Sequence, residues 1–293
     1  MASLRKLLAE KQRIIAPGVF DSLSAKAVDE AGFPACYLTG WGASGSRVGE
    51  PDLGLISGSE VADVIRNITL CTNVPIIADA DTGYGGPLCV ARTVRSFELA
   101  GAAAVQIEDQ LWPKRCGHVG GKILIPAEEM AAKIQAAVEA KKNPETLIVA
   151  RTDAIAVEGY DKAVKRAELY RKAGADILFV EAIETLEQLK EVPKILPGWQ
   201  LFNNVEGGKS PKLPDDEVFD MGYQIVIHPV MLIFIVAKTL RDSLKKLKEA
   251  RNSEPFFKDM LTFEQFCDFI GMTKGKDFDN QCLAKTLEWL KNK

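Results

Sequence analysis

The strongest constraint on the fold is an alternation. Eight short runs rich in β-branched and other apolar residues, at 14–17, 35–39, 75–79, 104–108, 147–151, 177–181, 200–203 and 224–228, are separated by longer stretches of mixed polarity. Those at 22–31, 59–71, 87–100, 127–141 and 161–173 place apolar residues three and four apart, the spacing of one helix face. Strands that alternate with helices pair in parallel, because each helix carries the chain back along the sheet. Eight such units predict an α/β fold closed as a (β/α)8 or TIM barrel. A doubly wound open sheet is the alternative, but no GxGxxG follows the first run. Three helical stretches close on Ala31-Gly32, Ala100-Gly101 and Ala173-Gly174, where glycine takes the left-handed position that ends a helix.

At 293 residues and 47% hydrophobic content the chain can bury one large core. Its organisation reads as a barrel at 1–242 followed by a helical extension at 243–293, Lys-rich at first and then aromatic through Phe256, Phe257, Phe263, Phe266 and Phe269. Such aromatics call for packing on the barrel or on a partner subunit. A net charge of −3 gives no electrostatic case for nucleic acid or an anionic membrane. No apolar run approaches the ~20 residues of a membrane span. The N-terminus, with charges among its leucines, lacks the apolar centre of a secretion signal. Cysteines 36, 71, 89, 116, 267 and 282 form no CxxC pair, which predicts reduced, mostly buried thiols in a soluble cytoplasmic protein.

Chemistry in such a barrel sits where the strands end. Those ends read Thr39-Gly40-Trp41-Gly42, Asp79-Ala80-Asp81, Glu108-Asp109, Arg151-Thr152-Asp153, Glu181, Asn203-Asn204-Val205-Glu206 and His228-Pro229. Asp79, Asp81 and Glu108 are hard oxygen donors without a Cys/His cluster, a set that suits Mg²⁺ or Mn²⁺ held partly through waters. Taken singly, such acids are helix caps or salt-bridge partners. The planar fork of Arg151 serves either a substrate carboxylate or Glu181 and Asp153. His228 is either a satisfied structural histidine or a catalytic one.

The segment 107–122 gathers Cys116, His118, Lys114, Arg115 and the glycines 117, 120 and 121. Neighbouring cations lower a thiol pKa, so Cys116 is a candidate acid, base or nucleophile. The glycines let the backbone turn and approach a ligand closely. The alternative is a solvated surface loop with an incidental cysteine.

The run Lys114-Arg115-Cys116-Gly117-His118, with Asp79-Ala80-Asp81-Thr82-Gly83, Glu108-Asp109-Gln110, Pro51-Asp52-Leu53-Gly54, Ala150-Arg151-Thr152-Asp153 and Glu206-Gly207-Gly208-Lys209, resembles the isocitrate lyase/phosphoenolpyruvate mutase superfamily over nearly the whole chain. The K-[KR]-C-G-H pattern is similar to its carbon–carbon lyase branch. The resemblance implies a Mg²⁺-dependent barrel (Mn²⁺ a possible substitute) with Asp79, Asp81, Glu108 and Asp52 about the metal. It implies substrate contacts at Thr39, Gly40, Trp41, Gly117, Asn203 and Pro229, and catalytic roles for Cys116, His118, Arg151 and Glu181. It further implies a homotetramer, a dimer of dimers whose C-terminal helices are exchanged between subunits.

Two departures bear on the substrate. Where methylisocitrate lyases carry an arginine for a third carboxylate this chain has Phe234, and where they carry threonine after the seventh strand it has Val205. A buried carboxylate without its cation is costly. The segment from Asn203 to Pro211 resembles the branch of dimethylmalate lyase, oxaloacetate hydrolase and the petal-death type of protein, and Pro229 stands where oxaloacetate hydrolases tend to have serine. The expected activity is therefore Mg²⁺-dependent cleavage of a small alkylated malate, 2,3-dimethylmalate, to pyruvate and propionate. Methylisocitrate lyase, oxaloacetate hydrolase and carboxyphosphonoenolpyruvate phosphonomutase chemistry are the alternatives on the same scaffold. A non-catalytic binding barrel is disfavoured by the complete set of acids and the cysteine.

Overall fold

The computed structural model describes residues 3–115, 117 and 120–292. Two compact units are formed, residues 1–235 and 236–293. In the first, strands β1 (Ile14–Val19), β2 (Cys36–Leu38), β3 (Ile76–Asp79), β4 (Ala104–Glu108), β5 (Leu147–Thr152), β6 (Ile177–Val180), β7 (Trp199–Asn203) and β8 (Ile225–His228) close in sequence order into a parallel barrel, β8 pairing back onto β1. Each of the eight runs read from the sequence is one of these strands.

Helix α1 (Leu4–Ala9) precedes the barrel, and α2 (Ser22–Glu30), α3 (Gly40–Ala43), α4 (Gly58–Cys71), α5 (Pro87–Ala100) and α6 (Ala127–Ala140) lie between its strands. They are followed by α7 (Ile155–Glu158), α8 (Tyr160–Lys172), α9 (Leu186–Ile195) and α10 (Asp215–Met221). Reciprocal capping boxes start α2 at Asp21 and Ser24, and α4 at Ser57 and Glu60. Gly32, Gly101 and Gly174 have φ of +79°, +103° and +107°, the left-handed geometry their Ala-Gly pairs predict.

The core divides by strand parity. Ile14, Ala16, Tyr37, Ile77, Ala104, Leu147, Val149, Ile177, Phe179, Leu201, Ile225 and Ile227 form one buried cluster, together with Leu4, Leu7 and Leu8 of α1. Their strand neighbours Cys36, Leu38, Ile76, Ala78, Val105, Ile148, Ala150, Leu178, Val180, Phe202 and Val226 belong to a second cluster shared with the outer helices. Side chains alternate faces along a strand, so the first set fills the barrel and the second faces the helix layer. That alternation aims the next residues along each strand.

Helix α11 (Met231–Ala250) runs into the second unit, which also contains α12 (Phe263–Ile270) and α13 (Met272–Lys291). Leu240, Leu244, Phe257, Phe263, Phe278, Leu283, Leu287 and Trp289 are exposed there. The described cysteines are all free, but among them only Cys36 is buried, and Cys89 and Cys282 are exposed, which corrects the expectation of mostly buried thiols. No helix among the described residues is long and apolar enough to cross a membrane.

Candidate active site

Carrying each strand's inward parity two residues past the barrel core names the site. Tyr37 leads to Thr39, Ile77 to Asp79 and Asp81, Ala104 through Gln106 to Glu108, Val149 to Arg151 and Asp153, Phe179 to Glu181, Leu201 to Asn203, and Ile227 to Pro229. Thr39, Asp79, Arg151, Glu181, Asn203 and Pro229 line one cleft with Tyr37, Trp41, Asp52, Lys114, Gly117, Val205, Ile227 and Val230. His228 has the opposite parity. Its ring nitrogens face Glu206 Oε1 at 3.1 Å and Asp215 Oδ2 at 2.9 Å, tying down the loop after β7, and it does not line the cleft.

One side of the cleft is a cluster of acids. Asp81 takes a left-handed φ of +48°, a conformation Asp tolerates better than most residues, and its amide donates to Asp79 Oδ1 at 3.1 Å. Gln106 donates to the same oxygen at 3.2 Å, and the Glu108 amide donates to the Asp81 carbonyl at 2.9 Å. A Cβ on Gly40 would lie 3.0 Å from Asp79 Oδ2, so a residue without a side chain lets the backbone reach the carboxylate. Lys114 lies 2.8 Å from Asp81 Oδ1 and 2.5 Å from Asp52 Oδ1.

One ammonium faces four acids, so this cluster is short of positive charge. Burial, opposed by Lys114 and reinforced by Asp79 and Asp52, pushes Asp81 up to about 7. Burial also drives Glu108 well above the carboxylate range, against the pull of Arg151. Lys114 stays a cation: burial disfavours it, but Asp81, Asp52, Glu108 and Asp79 together hold its pKa well above that of a free lysine. Asp81 Oδ2 and Glu108 Oε1 are buried without a hydrogen-bond donor. Buried anionic oxygens of this kind fit a hard divalent cation. Among the described residues no three acids converge tightly enough to enclose an ion by themselves.

The other side is saturated. Arg151 donates to both oxygens of Asp153 at 3.0 Å, lies 3.4 Å from Glu108 and 3.4 Å from Glu181, and stands over the Phe179 ring at 5.3 Å. Burial disfavours its charge, but Asp153, Glu108 and Glu181 hold the guanidinium firmly protonated. Glu181 accepts from Asn203 Nδ2 at 3.1 Å and from the amide of Ala182, whose φ of +58° is strained for a residue with a Cβ.

Across the mouth lies a flap. Its stem is a short antiparallel pairing in which the Leu111 amide donates to the Ile123 carbonyl and that of Ile125 to Asp109. Trp112 packs on Gly54, where a Cβ would meet its ring at 2.8 Å. A Cβ on Gly117 would lie 2.4 Å from Arg151 Nη2 and 2.6 Å from Glu181 Cγ. This position of the flap therefore seats backbone on the arginine. The sequence pattern grouped Lys114 with the cysteine, but its ammonium is directed at Asp52 and Asp81 instead. Cys116 and His118 lie outside the described residues. Sequence reasoning also passed over Tyr37, Gln106 and Lys122; parity would have found the first two.

A family model described as phosphoenolpyruvate phosphomutase matches residues 4–248. The chain is 41% identical to 2,3-dimethylmalate lyase of Eubacterium barkeri over 279 residues, covering 95% of this chain and 96% of that protein. It belongs to the phosphoenolpyruvate mutase/isocitrate lyase superfamily. Within that superfamily it is also 43% identical to 2-methylisocitrate lyase of Aeropyrum pernix over 287 residues, covering 98% of this chain and 92% of the relative. Among solved superfamily structures, oxaloacetate acetylhydrolase in complex with the inhibitor 3,3-difluorooxalacetate superposes with a TM-score of 0.91 at 34% identity, covering 96% of each chain. The superfamily relatives are lyases and mutases, and this chain is an enzyme of that kind.

Proposed function

We propose that the enzyme is a Mg²⁺-dependent lyase that cleaves a small alkylated malate, 2,3-dimethylmalate, into pyruvate and propionate. One observation carries the choice of substrate. The apolar part of the cleft lining is Val205, Ile227, Pro229, Val230 and Trp41, and the Trp41 and Phe234 rings pack edge-on at 6.4 Å between centroids. Lys114 and Arg151 are the cationic side chains among the described lining residues, and Lys114 already faces Asp52 and Asp81. That wall suits an alkyl group and leaves a third carboxylate without a counter-ion.

Asp79, Asp81 and Glu108 would hold the divalent ion, with Asp52 beside them. When bound, the ion supplies Lewis-acid polarisation that makes the 2-hydroxyl of a hydroxy acid easier to deprotonate. Thr39, Gly40 and Trp41 grip the α-carboxylate, and Asn203 and Glu181 fix the arginine's surroundings. A carboxylate lining the cleft takes the hydroxyl proton, the C2–C3 bond breaks and C2 becomes the carbonyl of pyruvate. The electron pair left on C3 takes a proton from Cys116 to give propionate. Arg151 and His118 stabilise the negative charge that develops on the departing carboxylate. Gly117, seated on Arg151, keeps water from that charge.

We place the enzyme in the cytoplasm as a homotetramer in which the exposed apolar faces of α12 and α13 pack on a partner subunit, a state that light scattering would test. Pyruvate release, coupled to a dehydrogenase, measured for 2,3-dimethylmalate and 2-methylisocitrate, with oxalate release measured for oxaloacetate and substrate consumption for phosphonopyruvate, each with and without EDTA, decides the chemistry. Dimethylmalate should be turned over fastest and only with the metal. Preference for any other member of the panel would overturn the assignment.

A further inference from the structure

The stem of the flap carries a buried cation that the reaction above does not use. Lys122 follows the Gly120-Gly121 turn, and its side chain is 1% exposed. Its ammonium donates to the Gly117 carbonyl and lies 3.7 Å from Asp153 Oδ1. Asp153, itself fully buried, is the group that grips Arg151 with both oxygens. Its backbone amide donates to Asp109 Oδ1 at 2.9 Å, and Asp109 is fixed in turn by the hydroxyls of Thr152 and Tyr170 at 2.7 and 2.8 Å. One immobile carboxylate thus faces two cations, Arg151 from the barrel and Lys122 from the flap.

We infer that Lys122 and Asp153 form the latch that seats Gly117 on Arg151, so that flap closure and orientation of the guanidinium are one event. The inference rests on the cleft being the reaction site. An ammonium withdrawn from water needs an anion and an acceptor, and Lys122 finds them in Asp153 and the Gly117 carbonyl only while Lys122 lies against the barrel. Opening the flap breaks the contact with Asp153 and returns the ammonium to solvent. Lys122 joins no two barrel elements by these contacts, so its loss loosens the flap and leaves the scaffold intact. It is a positioning residue, acting on the substrate through Gly117 and Arg151.

Arg115 is exposed on the flap, which gives trypsin a site there. The latch predicts that Lys122→Met is nicked at Arg115 about tenfold faster than wild type, with kcat reduced about tenfold or more and KM changed little, as expected for a lid that completes the site. Lys122→Arg should restore most of both. Asp153→Asn should be nicked faster too, and the double variant no faster than the faster single, because both substitutions break one contact. Nicking of Lys122→Met at the wild-type rate, or strictly additive effects in the double variant, would overturn the latch. If Asp153→Asn does not fold, the Met and Arg variants at Lys122 decide the matter by nicking alone. If wild type itself turns over no acid in the panel, the site assignment fails, while the nicking comparison still tests the latch.

Discussion

The two carboxylate clusters at the barrel mouth are built from the same residue types and behave oppositely. Around Arg151, the guanidinium meets Asp153, Glu108 and Glu181 with its fork fully engaged. Around Lys114, four acids share one ammonium, and Asp81 Oδ2 is left with no donor. The first arrangement is complete and holds a fixed positive charge for a ligand. The second is short of charge, and the deficit is what an added cation would fill. The flap reaches both, Lys114 from one stem and Lys122 from the other.

This contrast predicts opposite consequences for opposite substitutions. Asp81→Asn should lower metal-dependent turnover on the order of 10³-fold or more, since Lewis-acid stabilisation is worth several kcal/mol, without lowering the melting temperature of the metal-free protein. Arg151→Met should take the guanidinium from three buried acids and cost about 3–5 kcal/mol of stability, the usual effect of breaking a buried pair from one side. Denaturant titration of both variants checks the pair. If Asp81→Asn unfolds as easily as Arg151→Met, the two clusters do not differ in the way described.

The cysteine between the two lysines sharpens the comparison from the flap side. Cys116→Ser should keep fold and ligand affinity while losing about 10²–10⁴-fold in turnover, the range of a general acid step. Near-normal turnover would remove it from the reaction. The charge deficit also has a pH signature. Asp81 is raised to about 7 by burial, so below that pH a divalent ion must displace a proton, and Mg²⁺ affinity should fall by up to about tenfold per pH unit. The same shift makes the metal-free protein less stable as pH rises: the penalty is absent below the unfolded pKa and complete above about 7. The Mg²⁺-induced rise in melting temperature should therefore grow between pH 6 and 8 and flatten in Asp81→Asn.

Most of the fold was legible because short apolar runs and helical spacing are local signals. The strands in turn made the site legible, since Thr39, Asp79, Glu108, Arg151, Glu181, Asn203 and Pro229 each continue an inward parity already set by a core residue such as Tyr37, Ile77 or Phe179. The same rule sets His228 apart, one residue out of phase with Ile227 and Pro229. The flap was not legible in this way. Its pairs are long-range and follow no period: Lys114 meets Asp52 62 residues away, and Lys122 meets Asp153 from another loop. A run of cations beside a cysteine looks like thiol activation until the fold shows which charges face them.

The smallest expected effect concerns the wall that separates the two clusters from the barrel rim. Phe234 backs Trp41 and is 45% exposed, so Phe234→Arg can be accommodated with little loss of packing, and combined with Val205→Thr it adds a cation and a hydroxyl donor at the apolar end. Neither change touches the acids around Lys114 or the fork of Arg151, and turnover of 2,3-dimethylmalate should fall only modestly. The ratio of kcat/KM for 2-methylisocitrate to that for 2,3-dimethylmalate should rise about tenfold, the scale on which pocket contacts discriminate between similar substrates. If the ratio does not move, the apolar wall does not select the substrate, and selection must lie with the two charged clusters themselves.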